Sequence, residues 1–185
     1  MIKRHVLTVA VLAAALFAVS PLRADDQNVE KFHARLVGFN VIGGVGAGET
    51  GAILSGGTGT ADVELNKSAQ TATYTLTYDS NLSSSVLQAH IHFGKVHVAG
   101  GVMVFFCSNL GNGPPGTPAC PSSGGTVTGT WTAADVVAIP SQNVLAGDFD
   151  ALVEALESNT AYANLHTSNF KAGEIRGQMR KGTDD

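Results

Sequence analysis

Charge is scarce in this chain. Only 14% of its 185 residues are charged, and 11 basic residues stand against 15 acidic ones without forming a basic stripe. Nucleic-acid recognition needs clustered Lys and Arg, so no nucleic-acid partner is expected, nor attraction to an anionic membrane surface. Cysteine is nearly absent: Cys107 and Cys120 are the only two, and no CxxC spacing occurs. That disfavours a cysteine-based metal site. No GxSxG elbow is present, which leaves a serine hydrolase unsupported, and no Cys/His pair in a catalytic setting suggests a cysteine one. Beyond the N-terminus no run is long and apolar enough to span a bilayer, so no membrane insertion is expected. There is no internal repeat and no sign of a second domain.

The one long apolar run, VLTVAVLAAALFAV, follows the basic start MIKRH. Its length and flanks suit a secretory signal better than a membrane helix. Ala24 before the acidic Asp25 sets an expected cleavage point, giving a signal peptide over 1–24, a domain over 25–180 and a disordered tail over 181–185. The exported chain would lose Lys3, Arg4 and Arg23 but no acid, becoming more acidic than the formal −4 of the whole sequence. Secreted or periplasmic localisation favours a disulfide between Cys107 and Cys120 over two free thiols. Closing the short loop SNLGNGPPGTPA would contribute roughly 3 kcal/mol on a loop-entropy argument.

Gly and Thr are abundant and Lys is sparse, a composition suited to strands and turns. KFHARLVGFNVI alternates Phe32, Ala34 and Leu36 against His33, Arg35 and Val37. TATYTLTY places Ala72, Tyr74, Leu76 and Tyr78 on one face and threonines on the other, the pattern of a half-buried strand. VLQAHIHF, GVMVFFC, TVTGTWT, AYANLHT and GEIRGQMR read as further strands, GVMVFFC as a central one because it is apolar on both faces. Two short helices are expected. Thr132 and Asp135 resemble a capping box before VVAI, and Asp148 can cap a stripe of Phe149, Leu152, Val153 and Leu156. The sum is an all-β Greek-key sandwich or barrel, immunoglobulin-like or Cu/Zn superoxide dismutase-like, with one or two short helices. Gly46-Ala-Gly48-Glu-Thr-Gly51 spells GxGxxG, but no βαβ context surrounds it and Ala52 stands where a P-loop would carry Lys, so it reads as a turn.

The chemistry concentrates in histidine. His90 and His92 lie at i and i+2, on one face of a strand, with Cα atoms about 6.5–7 Å apart. Such a pair can reach one metal ion. His166 shares a face with Tyr162 and Asn164 on a later strand and would complete a three-imidazole set if the two strands are neighbours. His97 is a further candidate ligand, His33 reads as an exposed strand residue, and His5 falls in the signal. Copper is expected first and zinc second, because affinity at nitrogen sites peaks at copper. The competing reading is a metal-free structural or protein-interaction module, its partner unknown, in which each histidine meets its own hydrogen-bond partner. Glu174 and Arg176 read as a polar ladder, with Arg176 alternatively gripping a carboxylate that orients a histidine.

Taken together, AHIHFG, GVMVFFC, TGTWTAADV and YANLHTSNFKAGEIRGQM resemble the CHRD domain family, named after the repeats of the secreted protein chordin. The resemblance covers nearly all of the exported chain. It departs at KVHVAGG and in the Cys107–Cys120 loop. It implies a secreted or periplasmic domain with no general catalytic activity. By its motifs it singles out His90, His92 and His166, with Asn164, Thr167, Glu174 and Arg176 as motif residues. A weaker likeness to Cu/Zn superoxide dismutase rests on the HxH pair plus a distant histidine, but that enzyme's bridging histidine and zinc loop are not evident. A superoxide dismutase-like copper enzyme is therefore an alternative, and no catalytic residue is assigned.

Overall fold

The computed structural model describes residues 29–43 and 51–182. The apolar N-terminal run with its expected cleavage after Ala24, most of the GxGxxG stretch and residues 183–185 lie outside them.

Among the described residues nine strands and one α-helix follow in order: β1 Val29–Val37, β2 Thr58–Asn66, β3 Thr71–Tyr78, β4 Val86–Phe93, β5 Gly101–Ser108, β6 Gly125–Trp131, α1 Phe149–Glu157, β7 Ala161–Thr167, β8 Ile175–Gln178 and β9 Arg180–Lys181. All strand pairs are antiparallel, in the order β5-β4-β7-β8-β1-β2-β3-β6, with β9 on β1. The sheet curls into a nearly closed barrel. β1, β2 and β3 form a meander, while the chain crosses over to bring β7 between β4 and β8. The expected all-β architecture is present, and β9 reaches Lys181, one residue into the segment assigned to the tail. Lys181 makes an ion pair with Glu30 at 2.9 Å.

Alternation explains the interior. Phe32, Ala34 and Leu36 of β1 and Ala72, Tyr74, Leu76 and Tyr78 of β3 are buried, as are Val127 and Trp131 of β6. The intervening positions point outward, following the period of two. Asp148 caps α1 by accepting from Ala151 N at 3.0 Å, and Phe149, Leu152 and Leu156 are buried in the core while Val153 stays half-buried. The second expected helix is a single 3-10 turn, Ala133–Asp135, complete with its capping box. β-Branched Val136 and Val137 before Pro140 continue extended instead, and Val137 N donates to Met103 O at 2.9 Å.

β5 is the last strand of the path rather than a central one. Its apolar run is buried because other groups cover its free edge. Trp131 Nε1 donates to Phe105 O at 2.7 Å and Tyr74 Oη to Phe106 O at 2.9 Å, so side chains of β6 and β3 bridge the seam that no backbone ladder closes. The disulfide joins Cys107 of β5 to Cys120 with Cα atoms 5.1 Å apart, folding the intervening loop against the same edge. Covered edges cannot template association with another chain.

Candidate metal centre

Between β4 and β7 the register pairs His92 with Tyr162, His90 with Asn164 and Gln88 with His166. Ala89 and Ile91 on β4, with Ala163 and Leu165 on β7, turn into the core. The histidines therefore stand on the outer face of the barrel wall. They are buried there nonetheless, at 2%, 8% and 6% exposure for His90, His92 and His166. The β4–β5 and β7–β8 connections supply hydrogen-bond partners to them, and Phe105 of β5 packs edge-on to His90 with centroids 4.4 Å apart.

Two of the three rings are oriented by the backbone. His92 Nδ1 lies 2.9 Å from Gly100 O, and His166 Nδ1 lies 2.8 Å from Lys171 O. A carbonyl only accepts, so each Nδ1 carries its proton and each Nε2 presents a lone pair. His90 Nδ1 lies 3.3 Å from His166 Nε2. That is long for a hydrogen bond. It matches the separation of about 3.3–3.4 Å between two nitrogens bound tetrahedrally to one ion at about 2.0–2.1 Å. The Nε2 atoms of His90 and His92 are buried with no hydrogen-bond partner. One ligand atom from each of the three residues lies within 4.8 Å of the others, close enough to hold a metal ion.

Protonation does not compete. Burial holds the His90 imidazole at about 2, with repulsion from His166 and His92 adding to it. Burial also holds His92 at about 3 against the opposing pull of the Gly100 carbonyl, and it lowers His166 despite Lys171 O. All three rings are neutral at physiological pH, the form that binds metal.

A stacked layer supports them. The Tyr162 ring lies parallel to His92, centroids 4.8 Å apart, and the Arg176 guanidinium sits 3.4 Å from the Tyr162 centroid. Because β7 lies between β4 and β8, tyrosine is sandwiched between imidazole and cation. Tyr162 Oη accepts from Gly100 N at 3.0 Å while His92 holds Gly100 O, so one glycine is gripped on both sides. A Cβ on Gly100 would stand 1.7 Å from Phe93 O, which excludes any side chain. Gly173, at φ +133°, similarly leaves room for Asn164, whose Nδ2 donates to Ala172 O at 3.0 Å.

The other motif residues divide. Among the described residues Arg176 grips no carboxylate, contrary to the alternative raised from its sequence; it donates to Lys95 O and Val98 O. Glu174 is fully buried and lies just outside β8. It accepts from Ser55 Oγ, Ser83 N, Ser83 Oγ and Thr167 Oγ1 at 2.6–2.8 Å, tying together three separate connections. Burial alone would raise its pKa, but these hydrogen bonds from Thr167, Ser55 and Ser83 outweigh it and keep the carboxyl below the usual range. His97 is not brought to the trio: it is exposed in the β4–β5 connection at φ +61°. His33 is exposed on β1 and pairs with Asp62 at 2.7 Å. The parts that Gly100, Ser55 and Ser83 play left no mark in the sequence, since their partners are set by loop conformation.

No second group of His, Cys, Asp or Glu among the described residues is arranged to hold an ion. No helix among them is long and apolar enough to cross a membrane. No curated protein and no solved structure matches the chain. The CHRD domain model matches residues 45–179, a span that includes β4, β7 and all three histidines. The chain belongs to the CHRD domain family.

Proposed function

We propose that the protein is an exported metal-binding domain that holds copper, or secondarily zinc, through His90, His92 and His166. The carrying observation is the 3.3 Å approach of His90 Nδ1 to His166 Nε2 beside the orphaned buried Nε2 of His92. A metal-free arrangement leaves that His92 lone pair without a partner, at a cost of about 1–3 kcal/mol. A bound ion would take up the lone pairs that Gly100 O and Lys171 O hold in position. All three ligands are neutral imidazoles, the type that suits copper and zinc, and copper binds such sites more tightly.

Titration of metal-free protein with Cu(II) and with Zn(II), followed by calorimetry and, for copper, by EPR, tests this. Saturation at one ion per chain is expected, with nitrogen hyperfine structure for copper and tighter binding than for zinc. His90→Ala/His92→Ala should weaken binding at least a hundredfold. Equal binding by that variant would sink the assignment. If metal stabilises the fold, a chelator alone lowers its melting temperature; a purely structural trio would be indifferent to chelator.

Export rests on the N-terminal apolar run and agrees with the disulfide between Cys107 and Cys120. N-terminal sequencing of protein recovered from the extracytoplasmic fraction should begin at Asp25. Recovery only of a chain retaining residues 1–24 would count against processing.

A further inference from the structure

Arg176 sits beside the histidine trio without belonging to it. It is only 3% exposed, and no ion pair among the described residues includes it. Its Nη2 donates to Lys95 O at 3.3 Å and Val98 O at 3.0 Å, and its plane rests on Tyr162. Carbonyl dipoles and a ring face solvate a cation only in part, and a buried charge is ordinarily paired. A guanidinium carries five N–H donors in a fork suited to two oxygens of one anion. Nε and Nη1 make no hydrogen bond among the described residues, so part of that fork remains available.

The same residue lines a cavity of about 240 Å³ with Asn40, Val96, His97, Gln178 and Arg180. No described acid lines it. A second guanidinium, Arg180, is exposed there and has no described ion pair either. His97 adds an imidazole from the turn closed by Val98 N donating to Lys95 O at 3.0 Å. Its φ of +61° is one that glycine adopts freely and histidine does not. A strained histidine at a cavity mouth, two arginines without counter-charge and an absence of acids point the same way.

We propose that this cavity binds a small oxyanion, a phosphate or a carboxylate, with Arg176 as its buried anchor and Arg180 and His97 at its mouth. The proposal is independent of the metal. Its test therefore uses metal-free full-length protein, titrated calorimetrically with inorganic phosphate and separately with acetate at fixed ionic strength. Saturable binding of at least one anion is expected, and the two arms identify which. Arg176→Lys should weaken it at least tenfold, by breaking the planar fork. Arg180→Ser and His97→Gly, both at exposed positions, should each weaken it at least threefold. His97→Gly should also raise the melting temperature, since glycine relieves the left-handed backbone. No saturable binding of either anion by the unaltered protein overturns the proposal. So does binding that Arg180→Ser and His97→Gly both leave unchanged.

Discussion

Metal-free protein is expected to lose about 4 kcal/mol of stability between pH 7 and pH 5 through His90 and His92, with His166 adding in the same direction, a large share of the stability of an ordinary domain. Unfolded imidazoles take up protons as pH falls through about 6.5. Folded His92 does so only near 3 and folded His90 near 2, and His166 is lowered by the same burial. Over that window the unfolded state binds more protons, so stability is fully present above 6.5 and drains away below it. His90 and His92 each contribute about 2 kcal/mol of loss across those two pH units, and His166 adds to it. Urea unfolding at half-unit pH steps measures the slope, expected to approach two protons from His90 and His92 below pH 5.5, with His166 adding to them. His90→Gln should remove about one of them. A slope under one proton in the unaltered protein would falsify the picture of three neutral buried rings.

Glu174→Ala is expected to cost about 3 kcal/mol. The loss arises because four donors from Ser55, Ser83 and Thr167 converge on one fully buried carboxylate. Ser55 and Ser83 can turn to water, which limits the loss, but Thr167 is fully buried and cannot. Glu174→Gln should cost far less. Its amide oxygen can replace the atom facing Ser83 N, and its NH₂ can donate to the two hydroxyl oxygens opposite. Equilibrium denaturation of both variants decides the matter: an alanine variant no weaker than the glutamine one would mean the carboxylate is not the tie. The loop from Ser168 to Gly173 runs between Thr167 and Glu174 and carries Lys171 O, so the alanine variant should also loosen the support of His166.

Much of this fold was legible because alternation translates directly into burial. TATYTLTY announces its two faces, and the spacing of His90 and His92 announces their shared direction. AYANLHT set His166 on a face with Asn164 and Tyr162, and the register β4:β7 then made that face the neighbour of the HIH strand. What stayed hidden depends on contacts between distant segments. GVMVFFC reads as central because it is apolar throughout, yet it is an edge strand covered by Trp131, Tyr74 and Val137. VVAI carries a helix start signal but too short and too β-branched a run to continue it. Glu174 and Arg176 share a spacing that suggests a ladder, whereas one lies just before the strand and bonds to loops while the other stacks on a ring. No local pattern encodes a loop carbonyl, and loop carbonyls orient the candidate ligands.

The pairing of β4 with β7 also has a kinetic meaning. His90 and His166 are 76 residues apart in the chain, and the site exists only after that distant pairing forms. Loop closure of such length comes late relative to local hairpins such as β4–β5. The collapsed chain therefore offers an ion only the local HIH pair until the barrel wall is assembled. An ion bound by all three rings would act as a latch on the finished wall, slowing its opening while leaving the rate at which the wall forms nearly untouched.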